Sequence, residues 1–258
     1  MNLKPYLAAA RMSMRESKFF GIGWLLGNYA IRALQVLFLL LLWKSLVQAG
    51  GEIDGMTLAQ LLAYTLCSHA LAPLLDVRTP AGSLLHEGII VSHYLRPMSI
   101  FGQLAAQTLG AAVTPLMVFI PYCALMGMAF GVPLRPATAW FFPSLALCTA
   151  QGFAIDFLYA CLIIRTGNLS WQVYTLREAL FTVFTGGLIP FAAMPWGIGG
   201  VLALSPLGTL AGAPLSLFAG LAQPGAIIPV QIFWNAVLWP LCVWCFRRSR
   251  ERMVSYGG

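Results

Sequence analysis

The residues that could do chemistry are few, and their spacing suits almost none of it. Three histidines, His69, His86 and His93, have no carboxylate or cysteine beside them at metal-ligand spacing. The six cysteines, Cys67, Cys123, Cys148, Cys161, Cys242 and Cys245, all fall inside apolar runs and read as buried thiols, not zinc ligands. No Gly-x-x-x-x-Gly-Lys-Ser/Thr occurs, so no phosphate-binding loop is expected, and His-Glu-x-x-His and Gly-x-Ser-x-Gly are missing too. A hydrolase working inside a membrane would need a nucleophile with its base, or two facing aspartates. Asp156 is the only aspartate within an apolar run, and Glu178, beside Arg177, is the only other acid there. The chain is therefore expected to be no enzyme and to bind no metal or cofactor of its own.

The elements that hold these residues are written in the composition. Hydrophobic residues make up 59% of the 258 and charged residues 9%, with a mean hydropathy of +0.80. Soluble domains carry about 25% charge. A soluble fold could not hide this much apolar surface, so an all-α polytopic membrane protein of about six spans is expected, forming one domain over 1–258. The expected spans are 24–47, 57–75, a stretch within 101–130, 137–164, 171–191 and 227–246. Residues 1–18 carry Lys4, Arg11, Arg15 and Lys18 on one stripe and Leu3, Leu7, Ala10 and Met14 on the next, the pattern of an amphipathic helix lying on the membrane surface. The polar start is wrong for a cleavable signal peptide.

The net charge of +7 gathers at the two ends and in short loops. That is the positive-inside pattern, with both termini cytoplasmic in a cell membrane, and not a stripe for nucleic acid. Only Lys44 and Arg135 fall on the outer side, and Arg32, inside the first apolar run, fits neither side.

Three features ask for a role. Asp156 is costly in hydrocarbon, at least about 2.5–3.5 kcal/mol, so it reads either as a pathway or gating residue or as a packing group facing polar atoms of another helix. The inner connection 76–97 is long and holds Arg78, His86, Glu87 and Arg96, with helical stretches over 79–94 that could dock into another protein. Residues 179–246 carry no charge and are broken by Pro190, Pro195, Pro206, Pro214 and Pro224, which points to a re-entrant helical hairpin at 194–223 on the outer side.

The order of a basic N-terminal helix, two spans, an inner loop ending in Tyr94-Leu95-Arg96-Pro97, two more spans, a fifth running into Gly186-Gly187-Leu188-Ile189-Pro190-Phe191-Ala192-Ala193-Met194-Pro195, and a last span with a basic end resembles the ABC-2 type permeases. These are the membrane subunits of ATP-binding-cassette exporters. The resemblance implies two permeases, the second identical or different, above two cytosolic ATPase subunits that hold the ATP and Mg. It further implies that the loop bearing Arg78, His86, Glu87 and Arg96 couples to the ATPase, and that the outer hairpin caps the exit. An ion-coupled secondary transporter is the competing expectation. It would want several intramembrane ionisable groups and often an inverted repeat, and no repeat is visible. A vitamin-binding importer component shares the span number but lacks the loop and hairpin.

Overall fold

A computed structural model describes residues 3–16, 22–49, 56–86, 90–96, 98–132, 134–166, 170–194 and 197–255. Among them the chain is all-α. Helices α1 (Lys4–Glu16) and α2 (Ile22–Gln48) are followed by α3 (Leu58–Ala70) and a single turn, α4 (Ala72–Leu75). Two short helices, α5 (Ala81–His86) and α6 (Ile90–Tyr94), lead into α7 (Ile100–Phe130), α8 (Phe141–Thr166) and α9 (Ser170–Phe184). A 3-10 turn (Phe191–Ala193), α10 (Ile198–Ala203) and α11 (Gly212–Ala219) precede the long last helix, α12 (Pro224–Ser255).

Four helices are long and apolar enough to cross a membrane: the stretches Gly27–Gln48, Ile100–Ala129, Phe141–Thr166 and Pro224–Ser249. The expected second and fifth spans are built differently. Both are helices of 13 and 15 residues, α3 and α9, each ending in irregular chain, where a spanning helix needs about 20 residues. Short helices occur within the expected stretches 1–18, 76–97 and 194–223, while Lys18, Glu52, Asp54, Glu87, Pro97 and Pro195 lie outside the described residues.

α8 is the axis. Of its apolar stretch 67% is buried, against 17–22% for the other three long helices. Phe246 of α12 meets Phe101 of α7 and Phe157 of α8 edge-on, and the latter two rings are tilted at 45° to each other. The large exposed side chains of α2, such as Ile31, Leu34 and Phe38, face outward, as lipid-facing residues do. Prolines 115, 121, 229 and 240 stand inside α7 and α12, a frequency typical of helices in lipid.

A buried polar lattice joins α8 to α12 and to the turn before α11. The Gln151 amide donates to the Pro206 carbonyl (2.6 Å) and to Thr209 Oγ1 (2.8 Å). Gln231 donates to the carbonyls of Ser144 (3.2 Å) and Thr209 (2.9 Å), and Ser144 Oγ donates back to Gln231 Oε1 (2.8 Å). Asn235 completes it by donating to Gln151 Oε1 at 3.3 Å. The Gly-Gly-Leu-Ile-Pro-Phe stretch is explained by the Phe191 ring. A Cβ on Gly186, which has φ of 72°, would meet that ring at 2.8 Å, and one on Gly212 would meet it as well. Tyr64 and Ser68 of α3 donate to the Gly186 and Gly187 carbonyls, each at 2.6 Å, and so satisfy backbone that has left the helix.

α1 packs along the first turns of α7. Ala9 is buried, Tyr6 OH lies 3.5 Å from Ser99 Oγ, and Gly110 meets the backbone of Ala10. Close backbone approach through a small residue is the usual device for joining helices in lipid. Gly110→Val would push against main chain that cannot rotate away. The expected outcome is faster tryptic cleavage at Arg11 in the variant than in the wild type under mild detergent, with the rest of the digest unchanged. Equal rates would mean that Gly110 does not hold α1 in place.

Candidate functional site

The second apolar element leaves its helix at Asp76 and does not resume one until Ala81. This non-helical chain runs beside α8. The Leu74 carbonyl accepts from Thr149 Oγ1 (3.2 Å), Val77 packs on Gly152, Thr79 reaches Asp156, and Gly82 adjoins Ile163. Between the first and last of these contacts α8 advances about 21 Å. The chain from 74 to 82 can match that only by running partly extended. The stretch 76–80 therefore lies level with the middle of α8 and is not displayed beyond its end. Asp156 itself sits about 15 Å from the Thr166 end of α8.

Five charged side chains meet at this break. Arg177 of α9 is the hub, and its side chain is only 3% exposed. Its Nε lies 2.7 Å from Asp156 Oδ1, although the N–H is not aimed along that line, so the contact is ionic and not an aligned hydrogen bond. One terminal nitrogen donates to Asp76 Oδ1 (2.9 Å) and to the Val77 carbonyl (2.8 Å), and the other to Glu178 Oε1 (3.2 Å). The guanidinium also stacks over the Phe181 ring, 4.0 Å from its centre. Asp156 Oδ2 accepts from both the backbone N–H and the hydroxyl of Thr79, each at 2.7 Å. Arg78 donates to Asp76 Oδ2 (2.8 Å) and Glu178 Oε2 (2.8 Å) and closes the ring of contacts.

This arrangement is built to hold. Three carboxylates and two guanidiniums leave one negative charge, and Arg32 of α2 lines the same groove as Asp76 and Arg78. Two polar hollows flank Asp76 and Arg78. One, of about 230 Å³, lies toward Arg32 and Thr108, and the other, of about 250 Å³, toward His69 and Glu178. Among the described residues no group of His, Cys, Asp and Glu has the arrangement of a metal site.

Of the residues singled out from sequence, Arg78 and Asp156 come together here, linked through Thr79, Asp76 and Arg177. Arg96 is exposed at the far end of the loop and makes no ion pair among the described residues. His86 closes α5, and Glu87 lies outside the described residues. The roles of Asp76, Thr79 and Arg177 were not foreseen. One signal was available for Arg177: Asp156 and Arg177 stand at similar distances on either side of Arg165-Thr166-Gly167-Asn168, a stretch whose composition predicts a turn. In an antiparallel helix pair, residues equally far from the turn are level.

Comparison with protein-family models, with curated proteins and with solved structures found no match to this chain.

Removing one partner of a buried ion pair typically costs about 3–5 kcal/mol, because the other charge stays buried alone. Arg177→Met is expected to lower stability by about that much, measured by unfolding in detergent. The double variant Asp156→Asn with Arg177→Met is expected to lose clearly less than the two single losses added together. Strict additivity would show that the pair is not coupled.

Proposed function

We propose that this chain is the membrane-spanning permease subunit of an ATP-binding-cassette exporter of the ABC-2 type. In this reading it forms the substrate path, pairs with a second permease, and is driven by separate cytosolic ATPase subunits that carry the ATP and Mg. The order of elements supports it: a basic first helix, two short helices after the second apolar element, and a helical hairpin before the last long helix. The broken second element and α9 would complete six crossings with the four long helices, both termini being cytoplasmic by the distribution of basic residues.

The observation that carries the reading is the attachment of α5. Thr79, two residues before it and accepting from the Ala81 N–H, is bonded through its own N–H and hydroxyl to Asp156, and Asp156 is paired with Arg177. A push on α5 and α6 by an ATPase closing on ATP would therefore reach the middle of α8 and α9 directly, without being absorbed by a slack loop. Coupling of this kind needs a two-state element that a partner can bias, and α5 tied to α8 through Thr79 would pass that bias on. Asp156 then acts by positioning α5. An ion-coupled secondary transporter is the weaker reading, because both Asp156 oxygens are already engaged and offer no open seat to a proton or cation.

Purification of the tagged chain from its native host in mild detergent is expected to bring a stoichiometric ATPase with a phosphate-binding loop. Arg96→Ala and Glu87→Ala are expected to weaken that association several-fold while membrane insertion stays normal. Thr79→Val should leave association intact and reduce ATP-driven export. A chain that purifies alone and monodisperse would overturn the exporter reading.

A further inference from the structure

Two cavities that share Thr108 as a wall lie beside the break, and their chemistries differ. The polar groove holds Arg32 and Arg78 with Asp76 between α2, α7 and the 76–80 segment. Adjoining it is an apolar cleft of about 510 Å³ between α4, α7, α8 and α12, with Val77, Phe142, Phe153 and Trp239 in its walls. Thr108 lines both, and Val77 is the chain neighbour of both Asp76 and Arg78. The cleft falls within the about 300–1,000 Å³ of small-molecule sites. Leu109 and Phe142 at its rim are exposed, so it can be entered from the side, where lipid would be.

The charges in the groove are unequal in what they have left to offer. Asp76 spends one oxygen on Arg177 and the other on Arg78. Arg78 uses Nε and one terminal nitrogen, and its Nη1 has no bond among the described residues. Arg32 makes no ion pair or hydrogen bond among the described residues, yet it stands within a helix stretch apolar enough to span a membrane. A cation placed there is expensive and calls for an anionic partner. The groove thus presents two cationic donors and no unused acid.

We infer that the paired cavities bind a single-chain amphiphile with an anionic oxyacid head, the head between Arg32 and Arg78 and the chain in the cleft toward Trp239. This assignment rests on the permease reading and names the class of molecule that the permease would carry. Arg32 fixes the head, and the walls at Phe142 and Phe153 take the chain. The same two donors could also be met by a free phosphate, so the test separates head from chain.

The full chain, in nanodiscs of neutral lipid, would be examined by native mass spectrometry with three probes. These are palmitoyl lysophosphatidylglycerol, monopalmitoylglycerol with the same chain and no charge, and inorganic phosphate. The lysophospholipid is expected to form a one-to-one adduct, weakened at least about tenfold by Arg32→Gln, since a hydrogen bond to a charged group is lost. Ala146→Phe, at an exposed position that fills the cleft, is expected to remove the same adduct without touching the groove. Equal binding of monopalmitoylglycerol, or no effect of Arg32→Gln, would overturn the anionic head. Displacement of the lysophospholipid by millimolar phosphate, together with full binding in the Ala146→Phe variant, would overturn the amphiphile in favour of a free anion. The reading requires no ATPase in the sample, so a failure here refutes the substrate class and leaves the exporter reading to the co-purification.

Discussion

The pairing of Asp156 with Arg177 is the constraint around which the rest of the chain is arranged. Either charge alone would be intolerable in the middle of a bundle surrounded by apolar side chains. Together, with Thr79 and Val77 supplying the remaining hydrogen bonds, they become a fixed joint between α8, α9 and the segment 76–80. The centrality of α8 follows from this. It is the most buried of the four long apolar helices, and it holds both the joint and the polar lattice that anchors α12.

The same joint explains why the second apolar element is broken. Backbone that leaves a helix at membrane depth must find partners within the protein. Here the Thr79 N–H finds a carboxylate and the Val77 carbonyl finds a guanidinium. An unbroken helix through these residues would keep Thr79 from reaching Asp156 with both of its donors. The break and the pair are one device, and the polar hollows beside it come from the space that an extended chain leaves next to a cylinder.

Much of this architecture was legible in the sequence, for reasons of period and charge. The long apolar runs gave α2, α7, α8 and α12 because nothing but a helix can satisfy so much backbone in lipid. The prolines and glycines at 186–224 marked the short helices between α9 and α12. The depth of the 76–80 segment was not legible: Asp76, Arg78 and Thr79 have the composition of a water-exposed loop, and only their partners on α8 and α9 draw them inward. Arg177 carried no role in the sequence for a related reason. Its nearest acid in the chain is Glu178, and its pairing with Asp156 joins residues 21 positions apart on two different helices. Arg32, which fits neither side by the distribution of charge, lines the groove beside Asp76 and Arg78.

The chain is made from its N-terminus, and this gives the break at 76–80 a consequence for biogenesis. Thr79 must wait for a partner 77 residues further along, and the Val77 carbonyl for one 100 residues further along. Until α8 and α9 are in place, the Thr79 N–H and the Val77 carbonyl lack these partners, and Asp76 has only Arg78. The second element must therefore be kept in the insertion machinery, or at the water interface, while the 100 residues to Arg177, of 258, are synthesised. Assembly of this bundle therefore includes a delayed step, in which the second element closes onto α8 and α9 only after both have been made.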